Sequence, residues 1–259
     1  MSTGYRDLTP FYDALFPVSP AAQAFYAPLV ARCRQTGGLW LDVGVGTGPL
    51  VTWLNAQDVE VRGVEPDADF ARAARHKLAD GPGRVLVGGA GDVERLFPNE
   101  RFQVISCVGN VLAHLDGTDA VEAFFRMCAT WLVASGTLVV QVVNFDRYRR
   151  QGHMDFPVLE RTTADGTPFV FRRRYAPLAE DAEAVLFETE LEWSDGRIRN
   201  AVRLQTLEKA RLEALARRYF STVDVMGDFS GKPWTESSPG TILASQLTED
   251  VSFADTGAN

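Results

Sequence analysis

Only three cysteines occur among the 259 residues. Cys33, Cys107 and Cys128 are widely spaced in apolar sequence, which excludes a disulfide framework and the paired spacing of a metal site. They read as small hydrophobes. An excess of basic residues is also missing: Lys plus Arg number 26 against 34 Asp plus Glu, for a formal charge of −8. Non-specific affinity for nucleic acid comes mostly from cations that neutralise phosphates, so this balance speaks against such a partner. No stretch reaches the roughly 18 uninterrupted apolar residues of a membrane helix. The opening MSTGYRDLTPFYDALF lacks the basic and apolar regions of a signal peptide, and the expectation is a cytoplasmic protein. Internal repeats and low-complexity tracts are absent as well. What remains, 46% apolar and 23% charged, is the profile of a globular chain with a sizeable core.

From about residue 19 to 145, short β-rich runs alternate with longer amphipathic segments, the rhythm of a parallel sheet flanked by helices. Ser19-Pro20 is a helix start, with Phe25, Leu29 and Cys33 on one face, and Gly37-Gly38 is its stop. LWLDV (39–43) reads as a buried strand. A glycine-rich turn and a helix over 49–56 follow, then a strand over 59–64 and a helix over 68–79. Strands are expected at 84–87 and 102–107. A helix is expected over 119–133, ended by Ser135-Gly136, before the β-branched strand TLVVQVVNF (137–145).

Beyond Phe145 the pattern turns to alternating runs separated by Asp165-Gly166 and Asp195-Gly196, which signals antiparallel hairpins. The expected fold is therefore α/β, a Rossmann-like doubly wound seven-stranded sheet with an antiparallel β subdomain inserted after the fifth strand. Residues 1–145 would form the N-terminal helices and the cofactor-binding part, 146–207 the inserted cap, 208–247 a helix and the last two strands, and 248–259 a polar tail.

The glycine turn LDVGVGTG (41–48) lies between the first strand and its helix, where ligands meet the carboxyl ends of strands. A Cβ at Gly44 or Gly46 would obstruct such an approach, and the next helix offers free N–H groups. The second strand ends in Glu65-Pro66, 19 residues beyond Gly46. An acidic side chain there is placed to accept from both hydroxyls of a ribose. A dinucleotide fingerprint would require its third glycine at the position of Pro49.

Asp42, Gly44, Gly46 and Gly48 follow the strand-Asp-G-x-G-x-G pattern of class I S-adenosylmethionine-dependent methyltransferases, and the segment resembles that family. Val45 stands where the family commonly has Cys or Ala. GDV (Gly91, Asp92, Val93) resembles the motif that meets the adenine. CVGNVLAHL (107–115) and VVNFD (142–146) are similar to stretches of the glycine N-methyltransferase group and its small-molecule relatives. The resemblance implies S-adenosylmethionine as cofactor, with S-adenosylhomocysteine as product. It implies binding by Tyr12, Asp42, Gly44, Val45, Gly46, Glu65, Pro66, Gly91, Asp92, Val93, Val108 and Gly109.

Methyl transfer is an in-line displacement that needs alignment and exclusion of water rather than a covalent nucleophile. His114, one of three histidines, is the candidate base, and Asn110 and Asn144 at strand ends are candidate polar groups for the acceptor. In the run Arg172-Arg173-Arg174, alternation puts Arg172 and Arg174 on one face. That pair, with Tyr5, is a candidate for the acceptor site; a solvated face is the alternative. The expected reaction is methylation of a nitrogen, or an oxygen, of a small-molecule acceptor, with no metal, nucleic acid or membrane partner, by an enzyme whose relatives often form homo-oligomers. A cofactor-holding regulatory subunit without turnover and an NAD-dependent oxidoreductase are the other readings.

Overall fold

The structure is a computed structural model that describes residues 8–78, 81 and 83–247. Tyr5 and the expected tail, 248–259, lie outside the described residues. A four-residue helix α1 (Tyr12–Leu15) precedes α2 (Pro20–Thr36). The α2 start follows its sequence: the Ser19 hydroxyl accepts from the Ala22 N–H at 3.2 Å, Pro20 occupies the first turn, and Gly37 closes the helix at φ +65°. Its buried stripe is Ala22, Tyr26, Val30 and Cys33. Phe25 and Leu29 flank that stripe half-buried, so the inward face is turned by about one residue from the expected one.

The remaining α/β elements are β1 (Leu39–Val43), α3 (Pro49–Asn55), β2 (Val61–Glu65), α4 (Ala68–Lys77), β3 (Arg84–Val87), α5 (Val93–Leu96), β4 (Phe102–Cys107), α6 (Gly117–Trp131) and β5 (Leu132–Val143). After the insertion come α8 (Lys209–Ala216), β11 (Thr222–Met226) and β12 (Gly240–Gln246). The seven-stranded sheet has the order β11-β12-β5-β4-β1-β2-β3, parallel except for β12, which is antiparallel to β5 and β11. This is the expected α/β architecture. Alternate residues feed two cores: Leu41, Ile105, Val140 and Leu243 on one face, Trp40, Val104, Val139 and Ile242 on the other. Such two-sided burial is why the parallel strands read as continuous apolar runs.

Strand order reverses beside β1, whose neighbours are β2 and β4, so a crevice opens where the chain leaves β1 and β4. Most boundaries shift by no more than two residues, and one departs further. Strand β5 starts at Leu132, and Ser135, at φ +55°, is a kink inside it rather than the end of a helix.

The insertion begins with α7 (Phe145–Gln151), a helix where the sequence suggested the end of a strand. It continues as a second, five-stranded sheet of β6 (Met154–Asp155), β7 (Leu159–Thr162), β8 (Pro168–Pro177), β9 (Ala184–Trp193) and β10 (Gly196–Gln205). Its order is β10-β9-β8-β6, with β7 also paired to β8. The β9–β10 register pairs Trp193 with Gly196, so the two-residue turn is Ser194-Asp195 and Gly196 belongs to the strand. Leu8, Phe11 and Leu15 around α1 pack on Phe169, Phe171 and Leu191 of this sheet.

Candidate functional site

In the turn after β1, Gly44, Gly46 and Gly48 all have left-handed φ values, +80°, +58° and +91°. An added Cβ would meet protein at each. At Gly44 it would lie 2.5 Å from Val111, at Gly46 2.9 Å from the Tyr12 ring, and at Gly48 3.0 Å from the Ala74 Cα. The glycines therefore let three elements close on the turn, and crowding by these neighbours is by itself a reason for glycine at each position.

Tyr12 lies over Gly46, with its ring centroid 5.0 Å from that of Phe70. Burial raises its phenol pKa, and the carboxylates of Glu65, Asp42 and Asp13 add to the effect, so it stays protonated. The next residue fastens α1 in place. Asp13 accepts from the Thr47 hydroxyl at 2.6 Å and pairs with Lys77, whose ammonium also reaches the Thr47 carbonyl at 2.7 Å. Sequence reasoning missed this latch because its partners come from three separate elements.

Glu65 ends β2 almost fully buried, and its two oxygens accept from Gly46 N–H at 2.9 Å and Asp67 N–H at 3.0 Å. Burial raises its pKa, against the lowering effect of those two hydrogen bonds. Each oxygen keeps a further lone pair. Pro66 fills the step between the acid and the start of α4, where Asp67 caps with hydrogen bonds to Asp69 and Phe70 N–H groups.

Asp42 is buried and accepts from the Ser106 hydroxyl of β4 at 2.5 Å, while that oxygen accepts from Trp40 Nε1 at 2.9 Å. Burial pushes the Asp42 pKa up to about 7, a rise that Ser106 reduces and Glu65 increases. Its partner is thus a neighbouring strand, not the amides of its own loop. Val45 is buried in the second core.

Gly91, Asp92 and Val93 follow β3. The Asp92 carboxylate reaches back to the Gly89 N–H at 3.0 Å and pairs with Arg95 at 2.8 Å, and these contacts lower its pKa. The side chain of Val93 is buried in the main core, which leaves its backbone for a ligand.

After β4, Val108 is half-buried and Gly109 adopts φ +77°, its N–H held by Gln141 Oε1 at 2.7 Å. Asn110, also left-handed at φ +68°, has both ends of its amide engaged. Its oxygen accepts from Val143 N–H at 3.1 Å and its nitrogen donates to the Tyr175 hydroxyl at 3.0 Å. Asn110 therefore ties the second sheet to β5. His114 sits at the end of a one-turn helix, Val111–His114, with an exposed edge, and the surrounding chain lowers its pKa by desolvation.

The Asn144 amide is taken up by the protein itself. It is fully buried, its nitrogen lies 3.0–3.3 Å from the carbonyls of Thr235, Glu236 and Ser238, and its oxygen caps α7 at Arg147 N–H. Arg172 and Arg174 share a face, as alternation requires, but it is the outer one. Arg172 pairs with Glu190 and Glu192, and Arg174 with Glu188, in an exposed ladder. The inward arginine is Arg173, which the sequence reading passed over.

Residues 41–136 match the family model described as a methyltransferase domain. A dTDP-3-amino-3,6-dideoxy-alpha-D-glucopyranose N,N-dimethyltransferase from Streptomyces fradiae is 29% identical over 115 residues, 44% of this chain and 43% of that protein. The match thus spans less than half of that relative. Among solved structures, the CcbJ methyltransferase from Streptomyces caelestis superposes with a TM-score of 0.73 at 22% identity, over 95% of this chain and 98% of that one. CalS10 of Micromonospora echinaspora, an amino pentose methyltransferase solved with S-adenosylmethionine, gives 0.64 at 18% identity, over 88% and 92%. Residues 41–136 are thus similar to methyltransferase domains, and the chain as a whole shares the fold of these solved methyltransferases.

Proposed function

We propose that this chain is an S-adenosylmethionine-dependent methyltransferase acting on the nitrogen of a small-molecule acceptor. The observation that carries the reading is the Glu65 carboxylate, which grips the glycine turn through Gly46 N–H yet keeps acceptor capacity on both oxygens at the switch point of the sheet. The residues fit that cofactor: Glu65 is suited to a ribose diol, Asp92 to an exocyclic amine, Val108 and Gly109 to the methionine part, and Tyr12 closes over Gly46. The name of the Streptomyces fradiae relative, an N,N-dimethyltransferase, supports nitrogen as the atom methylated.

When bound, S-adenosylmethionine would supply an electrophilic methyl on its sulfonium for transfer to the acceptor nitrogen. The chain's own task is to deliver a neutral amine and exclude water. A lowered pKa keeps His114 neutral at pH 7, the form able to take the amine proton. Residues 146–207 make the cap that shapes the acceptor site, and we place the enzyme in the cytoplasm. Among the described residues no helix is long and apolar enough to cross a membrane.

Calorimetric titration with S-adenosylhomocysteine tests the cofactor assignment, and absence of binding overturns it. Mass spectrometry of reactions with amines, amino sugars, amino acids and hydroxylated metabolites then identifies a product heavier by one CH2. Cofactor binding without any such product would favour a regulatory subunit. Stabilisation by NAD instead would favour an oxidoreductase.

A further inference from the structure

The inner face of the second sheet carries three cross-strand rows of known register. Phe171, Leu191 and Ile198 form one; Tyr175, Phe187 and Val202 form another. Between them runs a polar row, Arg173–Thr189–Asn200. The first row packs against the segment around α1 and the second against the main core. The polar row therefore falls where the covering of this face changes from one apolar cluster to the other. That boundary is framed by two contacts with the crevice. Phe171 meets Phe16, whose ring adjoins Tyr12 above Gly46, and the Tyr175 hydroxyl meets Asn110 after β4.

The row offers donors that the protein does not use. Arg173 Nε and Asn200 Nδ2 are both buried without a hydrogen-bond partner. Among the described residues the Arg173 side chain pairs with no carboxylate; it makes one hydrogen bond, to the Pro157 carbonyl at 3.3 Å, and lies 5.2 Å and 5.5 Å from the ring centroids of Phe156 and Phe171. Acids are not scarce on this sheet, since Glu188, Glu190 and Glu192 on the outer face pair with Arg172, Arg174, Arg197 and Arg199. A half-buried guanidinium and a buried amide left with unused donors cost stability unless something accepts from them.

We infer that Arg173, with Thr189 and Asn200, forms a subsite for an anionic group, a phosphate or a carboxylate, carried by the methyl acceptor. The guanidinium fork matches two oxygens of either group, and the rings of Phe156 and Phe171 lie within cation–π distance of it. Neighbouring strands lie about 4.8 Å apart, so the row spans roughly 10 Å and fits a group with several acceptor atoms. This inference rests on the methyltransferase reading for the identity of the acceptor, but the anion site is testable by itself.

Protein loaded with S-adenosylhomocysteine is titrated with sodium pyrophosphate and, separately, sodium succinate, against sodium chloride at equal ionic strength, with calorimetry and thermal unfolding as readouts. One of the two anions binds wild-type protein and raises its midpoint, and which one does so distinguishes phosphate from carboxylate. Arg173→Met lowers that anion's affinity roughly ten- to a hundred-fold, as loss of a charge-assisted pair requires. Arg173→Lys and Asn200→Leu lose part of it. Arg173→Met keeps its affinity for S-adenosylhomocysteine and unfolds at the same or a higher temperature without anion, because an unpaired cation has left a half-buried site. No response to either anion in wild-type protein, an equal response in Arg173→Met, or loss of S-adenosylhomocysteine binding in that variant overturns the inference. Failure of wild-type protein to bind S-adenosylhomocysteine overturns the methyltransferase reading instead, whatever the anions do.

Discussion

Replacing Asn144 by Ala separates a structural role from a catalytic one. The side chain is wholly buried, and its two amide hydrogens are shared among three carbonyls of the segment 235–238, while its oxygen accepts from Arg147 N–H at the start of α7. Truncation removes two donated hydrogen bonds and one cap, each worth about 1 kcal/mol net, and strands buried carbonyls at a further cost of about 1–3 kcal/mol. The sum is roughly 4–6 kcal/mol. For a chain of this size that lowers the thermal midpoint by about 10 °C or more. Asn144→Asp is worse than Ala, because it sets a buried carboxylate against the same carbonyl dipoles. Guanidinium denaturation gives the order wild type, Ala, Asp, with S-adenosylhomocysteine affinity at permissive temperature close to wild type. An unchanged unfolding midpoint combined with lost turnover would refute the reasoning and return Asn144 to the reaction.

Three further outcomes follow from the same geometry. Asp42, raised to about 7 by burial from an ordinary value near 4, binds its proton more tightly folded than unfolded, so ionising it costs stability; wild-type stability falls between about pH 4 and pH 7, and Asp42→Asn loses that slope and is the more stable protein above pH 7, as urea melts at several pH values will show. Gly48→Ala costs about 2–4 kcal/mol, since a left-handed φ of +91° is compounded by a Cβ 3.0 Å from the Ala74 backbone, whereas Gly109→Ala, left-handed but with nothing within 4 Å, costs about 1 kcal/mol; equal melting points for the two would contradict the packing argument. His114→Ala lowers kcat about a hundredfold, and the acidic limb of the wild-type kcat/KM profile lies below the ordinary histidine range, in keeping with its lowered pKa; a profile and rate unaltered by the substitution leave alignment alone to explain turnover.

The α/β part was legible because burial on both faces writes itself as unbroken apolar runs: LWLDV and FQVISC became β1 and β4 with no change of boundary. Signals that depend on distant partners were not legible. Helix α7 has only Phe145 and Tyr148 as buried residues in a polar stretch that follows a strong strand signal, and what fixes its start is an Asn144 tied to carbonyls more than 90 residues away. Asn110 likewise reads as a strand-end amide, and its bond to Tyr175 spans 65 residues. For Glu65 the motif located the acid, but not that Gly46 and Asp67 hold both of its oxygens. Alternation split Arg173 from Arg172 and Arg174, yet period two cannot say which face is covered. Only the apolar clusters on 169, 171 and 175 decide that.

The two sheets divide the chemistry unequally, which explains why the motifs end where they do. On the α/β side each candidate ligand group is also structural: Glu65 holds the glycine turn, Asp42 bonds across to β4, and Gly109 is held by Gln141. Residues bound by two tasks leave a recognisable pattern in sequence. On the second sheet, Arg173 Nε and Asn200 Nδ2 are buried donors that no fold contact uses. Swapping the inner-row triad between chains of this fold should therefore move acceptor preference while leaving S-adenosylhomocysteine affinity in place. Acceptor preference that instead follows the segment 107–115, with the triad unchanged, would place specificity on the α/β side and break this division.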